Sequence, residues 1–340
     1  MKRARNERGG RPAAAPEDLQ EGRVIAGHGR HHSVETAEGH RVLCTSRGKR
    51  NEAVVGDRVR WRPTQDGPAG AAEGPEGEVA QGVIEAVAPR RNLFFRQDEL
   101  RTKSFAANLD HLLVWIAVEP VFSEMQLTRA LIAAEAARIP VTLVLNKTEL
   151  PGADAARARL APYAAMGYRV IDGALKPRDP ARAAGQAEAL LARLRPLLGG
   201  ATLVLGPSGS GKSTLINALL PEAEVLTGEI STALNSGRHT TTHTRWHWLN
   251  RVPGTLDGAA LIDSPGFQEF GLRHLAPEDL AGFMPDLRQA AEAGCRFHNC
   301  SHRHEPGCAV RAALAAGRIS PLRHELYQSL REELEAPPRY

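Results

Sequence analysis

Apolar and polar positions along the 340-residue chain fall into three regimes. Between residues 21 and 95 the apolar positions come in short runs, GRVIAG, HSVETA, RVLCTS, GDRVRWRP and QGVIEAVAP, separated by Gly, Asn, Asp and Pro. Short strands at this spacing predict a small barrel or sandwich. From about residue 105 the runs become continuous, in HLLVWIAV, VTLVLNK, ATLVLG and AALIDSPG, as in strands covered on both faces. The intervening LTRALIAAEAARI and STLINALL repeat at helical period, so a parallel sheet with helical covers follows. From about residue 276, APEDLAGFM and SPLRHELYQSLREELE predict helices on either side of a Cys/His-rich segment.

Composition narrows the class. Hydrophobic residues make up 42% of the chain, ordinary for a cored soluble protein. No apolar run approaches the ~18 residues of a membrane span, so no membrane partner is expected. Residues 1–16 are basic and Pro/Gly/Ala-rich without an apolar stretch. They fail as a secretory signal and predict a disordered tail or an RNA-contacting arm. The formal net charge is +4, a lean toward an anionic partner. The barrel region concentrates Arg30, Arg41, Arg47, Lys49, Arg50, Arg58, Arg60 and Arg62. Oligonucleotide-binding barrels carry such a face, although a solvated surface has the same composition. The segment 66–82 is expected to be a flexible barrel loop. Of four cysteines, Cys295, Cys300 and Cys308 crowd together and Cys44 stands alone, a poor disulfide framework that fits a reducing compartment.

The sharpest motif is GPSGSGKST at 206–214. Gly206, Gly211, Lys212 and Ser213 satisfy G-x-x-x-x-G-K-[ST], after a strand and before a helix, the context a phosphate loop requires. Its backbone from Gly206 through Pro207, Ser208, Gly209, Ser210 and Gly211 to Thr214 is expected to wrap the phosphates. Lys212 would reach the β- and γ-phosphates and the Ser213 hydroxyl would ligate Mg²⁺. Asp263 ends a neighbouring strand as a second metal-side carboxylate, and Gly266 can offer its N–H to the γ-phosphate. Ser264 follows Asp263 where many ATPases place a Glu, and no LSGGQ-like signature occurs. Both absences weigh against a transporter-type ATPase.

Reading guanine requires a carboxylate that accepts from N1–H and the N2 amine. NKTE at 146–149 follows the apolar VTLVL. Asn146 would approach the guanine edge, Lys147 would lie along the ring, and Thr148 would lead into Glu149, which supplies the carboxylate. Alone, such a tetrapeptide is often only a turn. It also precedes the phosphate loop, whereas an ordinary GTPase has it after. Cutting the sheet at one connection and joining the old ends would preserve every strand's neighbours.

The carboxyl-terminal segment CRFHNCSHRHEPGC supplies Cys295, Cys300, His302 and Cys308. Three thiolates and an imidazole make a closed, tetrahedral structural zinc set. His298 and His304 are rival ligands that read better as flanking surface residues.

The order NKTE, GPSGSGKST, GRHTTT at 237–242, DSPG at 263–266 and a Cys/Cys/His/Cys knot, behind a small β domain, resembles the circularly permuted GTPases of the small ribosomal subunit biogenesis family, RsgA or YjeQ. The resemblance covers roughly residues 21–330. It implies a multidomain α/β protein: a basic tail (1–20), an OB-fold β-barrel (21–97), a circularly permuted P-loop GTPase domain (98–272) and a helical zinc-binding domain (273–340). It further implies a cytoplasmic GTP hydrolase that binds the small ribosomal subunit and its rRNA late in maturation and is stimulated by it. A monomer is expected.

Glu149 is one methylene longer than the family's Asp, and Ser264 replaces the commoner Thr. Phe267 stands where many GTPases place a water-orienting Gln, so slow intrinsic hydrolysis is expected. His239 is a candidate to complete the site, or a surface loop residue. Thr241, with Thr240 as rival, would close over Mg²⁺ and the γ-phosphate. Two other classes stay open: a P-loop nucleotide kinase, and a non-catalytic RNA-binding assembly factor that takes GTP as a ligand.

Overall fold

The computed structural model describes residues 19–46, 53–64, 80–99, 101–177, 180–223, 244–266 and 270–337. The expectations for the tail through residue 18, for Arg47, Lys49 and Arg50, for most of the 66–82 loop, for His239, Thr240 and Thr241, and for Phe267 lie outside the described residues.

Five strands form the amino-terminal unit: β1 (Gln20–His28), β2 (His31–Glu35), β3 (Arg41–Ser46), β4 (Arg58–Pro63) and β5 (Ala80–Val87). They pair in the order β1-β2-β3-β5-β4, and a β1–β4 ladder closes the barrel. Alternation sets the faces. On β4, Val59 and Trp61 point into a core with Val24, Val34, Val42, Cys44 and Ile84, while Arg58 and Arg60 stay exposed. Trp61 fits because Gly82 faces it, where a Cβ would lie 2.6 Å from the indole. Arg30 and Arg41 are also exposed, but Arg62 turns onto Glu85 at 2.6 Å.

The hairpin β6 (Leu93–Gln97) and β7 (Thr102–Ala107) follows, straddling residues 97 and 98. Then come β8 (His111–Ala117), α1 (Glu124–Ala136), β9 (Val141–Asn146), α2 (Ala153–Ala165), β10 (Arg169–Asp172), α3 (Pro180–Leu194), β11 (Ala201–Leu205), α4 (Lys212–Leu219), β12 (Arg245–Trp248) and β13 (Ala260–Asp263). Strand order is β10-β9-β8-β11-β13-β12. All neighbours are parallel except β12, which runs antiparallel to β13. The exits of β8, β9, β11 and β13 therefore share one edge of the sheet, the edge at which open α/β sheets bind ligands. β12 also pairs with β1 at Ala26 and Arg245, so the barrel and the parallel sheet are continuous. Arg23 covers this seam, its guanidinium 4.6 Å from the Trp246 ring and 5.2 Å from the Trp248 ring.

Phe270, buried just beyond DSPG, packs against Phe94 and Phe105 of the hairpin, with centroids 5.6 and 5.9 Å away. The chain then continues into α5 (Pro285–Ala291), α6 (Ala309–Ala315) and α7 (Pro321–Glu335). APEDLAGFM, expected as a helix, is instead a 3₁₀ segment over Pro277–Phe283, begun by Pro277 and followed at Pro285 by the start of the next helix. Arg323 of α7, 5% exposed, donates twice to Asp286 at 2.9 Å and once to Thr128 of α1 at 3.1 Å. Arg129 of α1 reaches Glu333 and the Phe270 carbonyl. These bonds fix the carboxyl-terminal helices to α1 and so to the parallel-sheet unit.

Candidate nucleotide site and metal centre

The phosphate loop leaves β11 at Gly206 and enters α4 at Lys212. Gly206 is required by close approach: a Cβ there would lie 1.9 Å from the Trp115 carbonyl oxygen. Gly211 is required twice, because its φ is +99° and a Cβ would meet the Asn146 amide nitrogen at 2.5 Å. Both positions exclude any side chain. The loop thus folds back against the exits of β8 and β9, the strands that carry Trp115 and Asn146.

That contact joins the two separated motifs. Asn146 Nδ2 donates to the Ser210 carbonyl at 2.9 Å, and Lys147 Nζ to the Gly209 carbonyl at 2.8 Å. Trp115 Nε1 also donates to Ser210, at 3.0 Å. Ser210 Oγ closes the turn by donating to the Pro207 carbonyl at 2.9 Å. On its other side the Asn146 side chain accepts from Leu175 N–H at 3.2 Å, while Thr148 N–H donates to the Gly173 carbonyl at 3.2 Å. The Gly173–Leu175 loop after β10 therefore buttresses NKTE. Sequence reasoning missed it, since its contacts are made by backbone and the only signal was a turn after a short strand. Glu149 Oε2 is buried and has no hydrogen-bond partner among the described residues. An orphaned carboxylate oxygen fits a ligand that donates.

Lys212 is buried, and its ammonium donates to the carbonyls of Gly206 at 2.9 Å and Pro207 at 3.0 Å. Burial pushes its pKa down to about 8, with the Asp263 carboxylate opposing the shift. Burial likewise lowers Lys147, against the pull of Glu119 and Glu149. Asp263 is buried at the end of β13, in register with Val204. Ser264 Oγ donates to the Val204 carbonyl at 2.7 Å, pinning DSPG to the phosphate-loop strand. Gly266 lies against Ser208, where a Cβ would be 2.9 Å from the Ser208 nitrogen. Ser213 and Thr214 open the first turn of α4. The Asp263 carboxylate therefore acts on the Lys212 ammonium from the end of β13, beside the loop.

The metal-type cluster also assembles. The ligand atoms of Cys295, Cys300, His302 and Cys308 lie within 4.8 Å of one another. His302 Nδ1 stands 3.6 Å from Cys295 Sγ and 3.5 Å from Cys308 Sγ. Two sulfurs accept backbone N–H groups, Cys295 from Ala309 and Cys308 from Arg311, each at 3.4 Å, which suits thiolates. Glu305 collects the N–H groups of Ser301, Arg303 and His304 at 2.6, 3.1 and 3.1 Å. From α7, His324 bonds the His302 carbonyl and Tyr327 the Ser301 carbonyl, both at 2.9 Å. His298 and His304 stay outside the cluster. This donor set could hold a metal ion such as zinc.

Among the described residues no helix is long and apolar enough to cross a membrane. A family model described as RsgA GTPase matches residues 87–273, more than half of the chain. The small ribosomal subunit biogenesis GTPase RsgA of Variovorax paradoxus is 54% identical, covering 93% of each chain. Its counterpart in Burkholderia pseudomallei is 49% identical over 98% of both. YjeQ from Thermotoga maritima superposes with a TM-score of 0.66 at 26% identity, over 94% of this chain and 99% of that one. YloQ, described as a circularly permuted GTPase, shares the fold with a TM-score of 0.63 at 24% identity, over 96% and 100%. With NKTE ahead of GPSGSGKST in the chain and the two motifs bonded to each other, this chain belongs to the RsgA family of circularly permuted GTPases.

Proposed function

We propose that the protein is a GTP hydrolase that binds the small ribosomal subunit and assists its late maturation. The observation that carries this reading is the convergence of Asn146 and Lys147 on the Gly209 and Ser210 carbonyls. It supports a guanine-reading loop and a phosphate loop that share one nucleotide. Glu149, with its orphaned buried oxygen, would accept from the guanine N1–H and amine. Lys147 would lie along the ring. On nucleotide binding Lys212 would leave the Gly206 and Pro207 carbonyls for the β- and γ-phosphates, and the N–H groups of residues 208–214 would enclose them.

Ser213 and Asp263 would hold Mg²⁺, which neutralises developing charge on the phosphates, with Thr241 closing over it in the GTP state. Gly266 would offer its N–H to the γ-phosphate, and His239 is the candidate to orient water. Cys295, Cys300, His302 and Cys308 would hold one structural zinc ion. The exposed Arg30, Arg41, Arg58 and Arg60 of the barrel supply cations for ribosomal RNA, so binding should weaken with salt. The divisions 21–97, 98–272 and 273–340 would then act as RNA-binding barrel, switch and zinc domain of a cytoplasmic monomer.

The test is phosphate release from GTP and from ATP, each with and without purified small ribosomal subunits. Stimulation by the subunit for GTP alone is expected. Equal turnover of ATP, or indifference to the subunit, would contradict the proposal.

A further inference from the structure

We propose that Trp115 is a positioning residue of the phosphate loop, a role that rests on the nucleotide reading above. Trp115 is an indole in the middle of an apolar strand, wholly buried. The buried Trp61 and Trp246 indole N–H groups have no hydrogen-bond partner among the described residues, whereas that of Trp115 is engaged, outside β8, whose backbone pairs with β9 and β11. The acceptor it finds is the Ser210 carbonyl, at 3.0 Å and 95 residues along the chain.

The register explains why this pair can meet. Val114 lies opposite Leu205, so the next residue of β8 flanks Gly206, the first residue of the loop. Asn146 reaches the same Ser210 oxygen from β9 at 2.9 Å. A trans peptide points its C=O and the following N–H in opposite directions. Two donors holding the Ser210 carbonyl toward the sheet therefore aim the Gly211 N–H away from it, toward the phosphate side of the loop. Gly211 leaves room for this arrangement: a Cβ at that position would lie 2.5 Å from Asn146 Nδ2 and 3.5 Å from Trp115 Nε1.

Asn146 alone is a poorer anchor, since its Oδ1 is already committed to Leu175 N–H and its orientation is shared with the base-reading loop. Trp115 has no such second duty. It preorganises one phosphate-facing N–H before the nucleotide arrives, so the ordering of that peptide is not charged against binding.

The test replaces Trp115 with Phe in the full-length protein, which keeps the apolar bulk and deletes the donor. GDP affinity should fall about 3- to 10-fold, the effect of one lost hydrogen bond. The affinity of guanosine, measured by competition, should not change, because it carries no phosphate. Equal losses for GDP and guanosine would mean general loosening and would overturn the proposal, as would an unchanged GDP affinity. A second measurement does not depend on that variant folding. In the ¹⁵N-tryptophan-labelled wild type, the Trp61, Trp246 and Trp248 indole resonances are assigned by single Trp→Phe substitutions, leaving that of Trp115. It should move on adding GDP and stay still on adding guanosine; a resonance indifferent to GDP would overturn the assignment. A wild type that fails to prefer GDP over ADP would instead sink the nucleotide reading itself, whatever the Trp115 resonance does.

Discussion

If Lys212 meets the nucleotide phosphates as proposed, its burial makes nucleotide binding a proton-linked event. With its pKa pushed down to about 8 by burial, this amine is charged at pH 7 and largely neutral by pH 9. Unfolding restores the ordinary value near 10.5, so between pH 8 and 10.5 the unfolded chain binds more protons than the native one. The contribution of Lys212 to the free protein's stability should therefore rise with pH across that window, the sign for a base whose folded pKa is depressed. Nucleotide acts in the opposite sense. Phosphates bound at Lys212, as proposed above, would supply the counter-charge that burial withholds, returning the amine to its charged form and drawing a proton from solvent. At pH 8.5 the free Lys212 is about three-quarters neutral, so GDP binding should take up about 0.75 proton, against about 0.1 at pH 7. Calorimetric titrations in buffers of different ionisation enthalpy read this number directly. Lys212→Arg is the control, because a guanidinium stays protonated throughout, and its uptake at pH 8.5 should be smaller by about 0.75 proton. Equal uptake by variant and wild type at pH 8.5 would refute the reasoning.

Three further outcomes follow from other parts of the molecule. Substituting Ala for Gly211 forces a Cβ to within 2.5 Å of the Asn146 amide at φ +99°; GDP affinity should fall at least ~10-fold, or ~1.4 kcal/mol, by fluorescence titration. Arg323→Met leaves the Asp286 carboxylate, 9% exposed in its pair, without its cation, and denaturant unfolding should show a loss of about 3–5 kcal/mol. Adding Asp286→Leu should recover much of that loss. Purified protein should carry one equivalent of zinc by elemental analysis, and Cys308→Ser or a strong chelator should remove it. Proteolysis should then cut first around 295–308, while GDP affinity changes less than about twofold.

Much of this architecture is legible in the sequence where burial is uniform. β8, β9 and β11 are covered on both faces and appear as continuous apolar runs, and the barrel strands show their alternation, as in Arg58-Val59-Arg60-Trp61. The phosphate loop and the Cys₃His set are legible because their chemistry demands fixed residue types at fixed local spacing. Contacts between distant backbone groups left no such trace. Gly173 and Leu175 brace NKTE through a carbonyl and an N–H, which any residue could supply. The β6–β7 hairpin was hidden because its stabilising partner, Phe270, lies more than 160 residues away from either strand. Trp115 was visible only as one apolar letter of HLLVWIAV; its role lies in a single N–H. Arg323 and Asp286, 37 residues apart, give no periodic signal, so the joint between the carboxyl-terminal helices and α1 emerged only with the fold.

The central claim is that NKTE and GPSGSGKST enclose one guanine nucleotide despite their inverted order. Competition between GDP and ADP for wild type and for Glu149→Ala tests it most directly. Wild type should prefer GDP by about 100-fold or more, and Glu149→Ala should lose most of that preference while still binding both nucleotides through the phosphate loop. Comparable affinities for GDP and ADP in the wild type, or a preference that survives without Glu149, would contradict it.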